Sequence, residues 1–343
     1  MTGQDRAVRL PPPIFLCGLA LALCLSLLAS LDIGATGVGL RAAWAGSGDG
    51  MAWTVLSRIR APRVAMAALT GAALGVAGTI MQGLFRNPLA DPSLIGVSPG
   101  SALATALVIV AGGAAGLPGG LGLWSVPFAG MAGGFATTAL LYVFATRNGV
   151  TSIGTILLAG VAFGAFSGAL TGILIFRAND QALRDLTFWT MGSLAGTSWR
   201  NVMLVTPFLA FGLLATLGLV RPLNALLLGE EDARLMGYPV ERTKRLAMLA
   251  VAAMVGATVS IVGAIGFVGV VVPHLVRLAT GPDHRLVLPA SALLGATLLT
   301  LSDSLARVIA APAEVPVGIV TAVLGAPAFV WLLTRTHDPD MPS

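Results

Sequence analysis

Charged residues are scarce in this chain of 343 residues: Asp, Glu, Lys and Arg together make up 10% of it, whereas hydrophobic residues make up 56%. Soluble domains carry about 25% charged residues, so this composition excludes a soluble globular fold. With a mean hydropathy of +0.89, the sequence predicts an all-α polytopic membrane protein. The formal net charge of +5 is small for this length and argues against a nucleic-acid partner.

Lysine and cysteine are scarcer still. Lys244 is the only lysine and Arg245 follows it, so the sequence contains no G-x-x-x-x-G-K-[ST] phosphate loop. Any ATP that drives this protein is therefore expected to be hydrolysed by another polypeptide. Cys17 and Cys24 both lie in the first apolar run, which predicts neither a disulfide framework nor a metal site. We expect no cofactor to bind this chain.

Long apolar runs dominate what the sequence does contain. The run 246–280 is too long for a single span of about 20 residues, and its glycines Gly263, Gly266 and Gly269 mark a turn between two helices. The first run is interpreted as a retained helix, because its apolar core is too long for a signal peptide and no small-residue cleavage site follows. The sequence thus predicts about ten transmembrane helices, at about 14–33, 62–84, 94–114, 122–145, 151–175, 200–220, two within 246–280, 287–308 and 316–335.

Arginines concentrate in alternate loops, which places both termini on the cytoplasmic side. The chain 1–343 is then one transmembrane domain with a cytoplasmic arm at 1–13 and a cytoplasmic tail at 336–343. The segments 34–60 and 177–198 are predicted to be external. Several arginines lie at outer ends against the usual bias, and an acidic partner arriving from outside would explain them better than snorkelling does; they are Arg58, Arg60, Arg63, Arg177, Arg184 and Arg307.

The densest run of charge begins at Gly229 and ends at Arg245, within the predicted cytoplasmic loop 221–245. Three consecutive acids open a short helix, and Gly237 and Pro239 break it. Such a helix, break and helix suits a docking site for a soluble partner, and an ordinary solvated loop is an equally good interpretation of the charge alone. The residues of interest are Gly229, Glu230, Glu231, Asp232, Ala233, Arg234, Gly237, Pro239 and Arg242.

Glycines recur at helical spacing in two of the predicted spans. Gly71, Gly75 and Gly78 favour close approach of a neighbouring helix. Every fourth residue from Gly160 to Gly172 is also glycine, which indicates either tight packing or backbone that faces a channel. We expect packing, and therefore poor tolerance of alanine on this ridge.

Several motifs resemble the iron-chelate and cobalamin importer permeases of the ATP-binding-cassette (ABC) superfamily. The resemblance spans about residues 55–335. It rests on RAPR at 60–63, QGLFRNPLADPSLIGVSPG at 82–100, LG with ARLMG at 228–237, GAIGFVG at 263–269, PHLVR at 273–277, DHR at 283–285 and EVPVG at 314–318.

That resemblance implies a permease subunit with ten helices and short cytoplasmic coupling helices, in the bacterial inner membrane. It implies a homodimer with two cytoplasmic ATPase subunits, which bind ATP and Mg²⁺, and a periplasmic binding protein that delivers substrate. The charged loop then becomes the ATPase-coupling site. Arg60, Arg63 and Arg307 match arginines that receive acids of the binding protein. Asn87, Leu89, Ile153 and Gly154 match the inner gate, although Gly154 replaces an expected hydroxyl residue.

Within the family, the external segment 180–194 most resembles the haem importers, and Arg177 or Arg184 at the outer mouth would meet haem propionates. A ferric siderophore or cobalamin is the alternative substrate. His274 lies in a proline-containing motif and is expected to be structural. Two other classes stay open: a proton-coupled carrier that depends on Asp303 or Glu314, and an assembly or sensory component without solute flux.

Overall fold

The computed structural model describes residues 11–34, 51–115 and 122–336, and these residues are mainly helical. A 3₁₀ turn at Pro92–Ile95 and a two-stranded hairpin at Thr146–Thr151 interrupt the helices. The helices are α1 (Pro12–Asp32), α2 (Met51–Phe85), α3 (Val97–Ala115), α4 (Gly122–Ala145), α5 (Ile153–Arg177), α6 (Asp180–Thr190), α7 (Trp199–Leu226), α8 (Glu230–Leu235), α9 (Val240–Val262), α10 (Val268–Thr280), α11 (His284–Ala306) and α12 (Val317–Thr336).

Seven of the described helices are long and apolar enough to cross a membrane: α1, α2, α4, α5, α7, α9 and α11. Helices α3, α10 and α12 are apolar but contribute shorter apolar stretches, and α10 has only 13 residues. The all-α, multi-span fold class is therefore confirmed. The count of about ten spans stays a prediction, because a full span needs about 20 residues.

Helices α2 and α9 form the centre of the bundle. In each, 78% of the most apolar window is buried, against 17% in α5 and 11% in α1. A helix that is apolar all round is buried when neighbours surround it, and it faces lipid or a partner subunit when they do not. Much of the apolar surface of α1 and α5 is therefore open to lipid or to another chain.

Small residues on α2 let its backbone touch two neighbouring helices, as Gly71, Gly75 and Gly78 predicted. A side chain at Gly71 would meet the carbonyl oxygen of Gly295 on α11, and one at Gly78 would meet the carbonyl oxygen of Gly269 on α10. Close backbone packing of this kind replaces the hydrophobic driving force that is absent between helices in lipid.

The glycine ridge of α5 is used differently from our expectation. Gly160 does pack, since a side chain there would meet the carbonyl oxygen of Leu94. At Gly164 an added Cβ would lie 3.7 Å from Cγ of Pro99, and at Gly168 and Gly172 it would meet nothing within 4 Å. Within one chain the structure therefore gives the predicted close packing to Gly160 alone, and poor tolerance of alanine at the last three glycines stays a prediction.

Several predicted boundaries shift. Helix α2 begins at Met51 and not near residue 62, so residues 51–60 of the segment predicted to be external, 34–60, are helical, and residues 35–50 of that segment lie outside the described residues. Helix α7 continues to Leu226 and α9 begins at Val240, which reduces the cytoplasmic loop 221–245 to the segment around α8. The reason is that Lys244 is a buried helical residue and not a loop cation. The predicted arm 1–13, except its last three residues, and the tail 337–343 lie outside the described residues.

The predicted inside turn after α4 is a β-hairpin. Thr146 pairs with Thr151 and Arg147 with Val150, and the two turn residues have positive φ, 52° at Asn148 and 76° at Gly149. Asn-Gly is the sequence that two-residue hairpin turns favour, because both positions need left-handed backbone. The hairpin leads directly into α5.

We expect Gly78→Ala to lower the thermal stability of the purified protein, because the added methyl group forces α2 away from α10. Overpacking of this kind costs roughly 1–3 kcal/mol. Gly218→Ala, at an exposed position of α7, is the matched control, since its methyl group would make only an ordinary contact at 3.8 Å from Leu246. Melting temperatures measured in the same detergent test the pair, and equal values for both variants would contradict the packing described here.

Candidate coupling site and substrate pathway

Helix α8 lies between two sharp backbone turns at the end of the bundle opposite the outer arginines. Gly229 at its start has φ 133° and Gly237 after its end has φ 84°, values that favour glycine. The buried Ala233 anchors the helix on the bundle. The three acids of its first turn, Glu230, Glu231 and Asp232, oppose the positive end of the helix dipole.

Lys244 fastens α8 to the bundle. Its side chain is only 1% exposed, and its Nζ donates to Oε2 of Glu230 at 2.7 Å, to Oε1 of Glu241 at 3.1 Å and to the carbonyl oxygen of Thr151 at 2.8 Å. An ammonium group has three N–H donors, and all three are used here. The buried charge is thereby compensated, and α8, α9 and the hairpin are joined at one atom.

The hairpin is held from both sides of its backbone. The carbonyl of Thr151 accepts from Lys244, and its N–H donates to Oε2 of Glu241 at 2.9 Å. Arg234 adds a second contact between α8 and α9, at 3.3 Å from Glu241. Because α5 begins two residues after Thr151, these bonds connect α8 to the start of α5.

The surface of α8 that faces away from the bundle is apolar with charged edges. Leu235 is 86% and Leu228 67% exposed, and Met236, directly after Leu235, is exposed as well. Exposed large apolar residues ringed by charge mark protein interaction sites. We name this group the docking surface; it comprises Leu228, Glu231, Asp232, Leu235, Met236 and Arg242, all of them exposed.

The Lys244 network can be tested without any partner. We expect Lys244→Met to leave Glu230 and Glu241 with the exposed Arg234 as their only cation among the described residues, at a cost on the order of 1–3 kcal/mol, and to loosen α8 on the bundle. Hydrogen–deuterium exchange should then rise across residues 229–239 while α9 stays protected. Arg245→Met, a change at the adjacent exposed cation, is the control. Equal exchange in the two variants would contradict the role of Lys244 in holding α8 on the bundle.

The predicted gate residues lie at the same end as α8. Asn87 forms the turn after α2, where its Oδ1 accepts from the N–H of Leu89 at 2.9 Å. Leu89 is 41% exposed, Ile153 is half-buried in the first turn of α5, and Gly154 has open space where a side chain would be. The structure thus places Asn87 and Leu89 on an exposed turn and Ile153 and Gly154 directly after the hairpin, and their gating role stays a prediction.

The opposite end of α5 carries the predicted substrate mouth. Arg177 is the last residue of α5 and Arg184 lies on the short amphipathic helix α6, which Asn179 caps by accepting from the N–H of Ala182 at 2.8 Å. Ala182 and Leu186 bury one face of α6, while Leu183, Arg184 and Phe188 stay exposed. Within the described chain neither arginine forms an ion pair, so both are available to an anion.

The other outer arginines are bonded within the chain. Arg63 pairs with Asp303 at 3.0 Å and with Glu314 at 2.9 Å, and Arg307 pairs with Asp303 at 3.2 Å. Arg60 donates to the carbonyl oxygens of Leu31 and Asp32, at 2.9 and 3.0 Å. We name Arg60, Arg63, Asp303, Arg307 and Glu314 the outer cluster. The structure gives its arginines a structural role, whereas docking of a binding protein stays a prediction.

The outer cluster also bears on the proton-coupled alternative. Asp303 is fully buried between two arginines and lies near the end of α11, not at its centre. Glu314 follows the end of that helix and its side chain is 45% exposed. A transported proton needs a carboxylate that can be neutralised in mid-membrane, and neither acid has that position.

A third polar group stands at the turn between α10 and α11. Asp283 caps α11 by accepting from the N–H of Arg285 at 2.9 Å, and it accepts from Nδ2 of Asn224 at 2.7 Å. Burial raises the pKa of Asp283, but these hydrogen bonds and the charge of Arg285 outweigh it, so the net pKa is lowered. The cap thus stays ionised at neutral pH and ties α7 to α11.

Sequence reasoning missed the residues that hold this site together. It treated Lys244 as a boundary cation and did not consider Glu241 or Thr151. One signal was available, since the only lysine of the chain follows an acid by three residues, the spacing of a helical ion pair. The contact with Thr151 had no signal, because 93 residues separate the two partners.

The helical fold with a short helix fixed on its cytoplasmic end is that of the transmembrane permeases of ABC transporters. A solved metal-chelate type ABC transporter in an inward-facing conformation matches with a TM-score of 0.84 and 32% identity, over 94% of this chain and 99% of that chain. A family model, the FecCD transport family, matches residues 19–335. The chain therefore belongs to the FecCD transport family.

Its curated relatives carry two kinds of name. A hemin transport system permease protein of Yersinia pestis is 42% identical over 96% of this chain and 98% of its own length. A cobalamin import system permease protein of Halobacterium salinarum is 43% identical over 82% of this chain and 74% of its own length. A vitamin B12 import system permease protein of Shigella boydii is 40% identical over 93% of this chain and 94% of its own length.

Proposed function

We propose that this chain is the permease subunit of an ATP-driven importer that moves an iron chelate, with haem as its substrate, into the cytoplasm. The observation that carries the class of function is the docking surface, which is bonded through Lys244 to the start of α5. Such an arrangement serves a protein whose driving reaction takes place on another polypeptide. The proposed location is the bacterial inner membrane, with both termini cytoplasmic.

The proposed assembly is a homodimer with two ATPase subunits and one periplasmic binding protein. The open face of α5 supports the dimer, because apolar and glycine positions on it, among them Leu158, Val161, Gly168 and Gly172, have no neighbours from this chain. Two such faces around a dyad would line a pathway from the outer mouth to the inner gate. ATP and Mg²⁺ would be held by the ATPase subunits.

The proposed transmission starts when the ATPase subunits move against the docking surface. Because α8 is fixed to Glu241, Lys244 and Thr151, the hairpin and the first turn of α5 move with it. Ile153 and Gly154 lie in that first turn, and Asn87 and Leu89 lie in the neighbouring loop, so this displacement would open or close the inner gate. The chain itself performs no covalent chemistry in this account.

Haem is favoured over cobalamin by the chemistry of the outer mouth. Haem is a flat apolar ring with two carboxylates, and the described outer end offers exposed apolar surface at Phe176 and Phe188 beside the exposed cations Arg177 and Arg184. Guanidinium groups bind carboxylates with paired, charge-assisted hydrogen bonds. The near full-length match to the permease named for hemin supports the same choice. The relatives named for cobalamin keep that substrate as the second candidate.

The proposed haem-binding role of the outer mouth is tested by the double change Arg177→Gln and Arg184→Gln. We expect the KM for haem uptake to rise about tenfold, the loss of roughly 1.4 kcal/mol that charge-assisted hydrogen bonds of this kind supply, while kcat changes little. Arg58→Gln, at another exposed outer arginine, is the control. Unchanged haem uptake by the double variant would show that these two arginines do not bind haem at the outer mouth.

Docking of the binding protein can be tested through the acid that competes for Arg63. Glu314→Gln removes the carboxylate 2.9 Å from that arginine. If Arg63 receives an acid of the binding protein, docking should strengthen by about 1.4- to fivefold, the effect of a 0.2–1 kcal/mol surface pair, and more so at low salt. Asp180→Asn makes the same charge change elsewhere on the outer end. Weaker docking, or an equal gain in both variants, would leave the outer cluster structural only.

The proposed class of function is tested by reconstitution in liposomes with the ATPase and the binding protein. We expect uptake of haem that requires both partners and ATP, and lower uptake of a ferric siderophore and of cobalamin measured in parallel. Uptake driven by a proton gradient in the absence of the ATPase would instead support the carrier hypothesis. Stable assembly without uptake of any of the three would support an assembly or sensory role.

A further inference from the structure

A groove of about 450 Å³ runs along the outside of the bundle between α4 and α9. Its floor is made of small residues, Ala136, Ala139 and Ala252, and its sides are the larger apolar residues Phe135, Val143 and Leu249. Neither the coupling site nor the outer mouth includes these residues. The groove opens sideways, where a helix bundle in a membrane meets lipid.

The cytoplasmic end of the groove is polar and positive. Arg245 and Tyr142 close it, with Nε of Arg245 donating to the phenolic oxygen of Tyr142 at 3.4 Å. Arg245 is exposed, and no carboxylate of the described residues lies within ion-pair distance of it, in contrast to its neighbour Lys244. Two further exposed cations stand at this end, Arg242 three residues earlier on the same face of α9 and Arg147 in the hairpin after α4.

The dimensions of the groove match one leaflet. The residues from Arg245 to Ala252 span seven helical steps, about 10 Å at 1.5 Å per residue, and half of the hydrocarbon core is about 15 Å thick. An acyl chain in the groove would therefore place its headgroup at Arg245 and Tyr142. Tyrosine and arginine are the residues that lie at the membrane–water interface.

We propose that an anionic phospholipid of the inner leaflet binds in this groove, with its phosphate on Arg245 and Tyr142 and one acyl chain over the alanine floor. Cationic pockets between transmembrane helices on the cytoplasmic side select anionic headgroups. Bound there, the lipid bridges α4, which leads into the hairpin, and α9, which carries Lys244 and Glu241 of the Lys244 network. The inference rests on the membrane orientation given under the proposed function, and it is independent of the transported substrate.

A second apolar groove, of about 490 Å³, serves as an internal comparison. It lies between α7 and α11 and also has an arginine, Arg285, at its cytoplasmic end. There, however, the side chain of Asp283 caps the same turn, accepting from the N–H of Arg285 at 2.9 Å. The neighbouring carboxylate offsets the cation, so anion selectivity is assigned to the groove at Arg245 alone.

Native mass spectrometry of the full-length protein tests the proposal, with phosphatidylglycerol and phosphatidylcholine of identical acyl chains as probes. We expect the wild type to retain phosphatidylglycerol about fivefold over phosphatidylcholine, the ratio that about 1 kcal/mol per cationic residue gives. Arg245→Gln should remove this preference, and Arg245→Lys should keep most of it. Arg221→Gln, at an exposed cytoplasmic arginine outside the groove, should behave as wild type.

Ala139→Trp tests the groove itself, since an indole at this exposed floor position fills the space of the acyl chain without entering the core. We expect it to reduce retention of both lipids. Three results would overturn the proposal: equal retention of the two lipids by the wild type, equal losses in Arg245→Gln and Arg221→Gln, or normal retention by Ala139→Trp. Because no transport is measured, failure here leaves the importer hypothesis standing, and failure of uptake leaves lipid binding standing.

Discussion

The ammonium group of Lys244 is buried at the end of the bundle that carries α8, and the placement of α8 depends on how that charge is compensated. A lone buried cation costs several kcal/mol, so the position is tolerable only because Glu230, Glu241 and the carbonyl of Thr151 all accept from it. The same three bonds join three separate chain segments. The bonds that compensate the buried charge of Lys244 therefore also hold α8, α9 and the hairpin together.

Charged side chains are arranged differently at the two ends of the bundle. At the end that carries the outer cluster, Asp303 is shared by Arg63 and Arg307. Arg63 also pairs with Glu314, and Arg307 donates to backbone carbonyls near the end of α1 and to the hydroxyls of Ser30 and Ser304. At the cytoplasmic end, one paired lysine lies beside arginines that remain exposed. Helix α5 begins beside the Lys244 network and ends at exposed Arg177, so it connects the two ends of the bundle.

Much of the fold follows from local sequence. The apolar runs predicted the long helices to within a few residues at most ends, because hydrophobic length alone determines a span. The approach of α2 to its neighbours followed from Gly71, Gly75 and Gly78, since spacing and small size are both visible in the sequence. The hairpin was expected only as a turn, although Asn148-Gly149 is a hairpin signal.

The features that could not be predicted from the sequence depend on contacts between distant residues. Whether a glycine such as Gly168 packs or faces open space is decided by the path of other helices, which spacing does not report. Arg60, Arg63 and Arg307 are unusual for their side of the membrane, but only the structure shows that Asp303 and Glu314 lie within bonding distance of two of them. The start of α9 was misplaced because a lysine at a helix end normally indicates water, and here it is buried.

The central claim is that Lys244 transmits movement of the ATPase to α5. Its most direct test is the number of ATP molecules hydrolysed per substrate imported, measured in liposomes that contain the permease, its ATPase and its binding protein. The account predicts that Lys244→Met raises this number several-fold while hydrolysis continues, and that Lys244→Arg, which keeps the charge, raises it less. A folded Lys244→Met variant with the wild-type ratio would contradict the account.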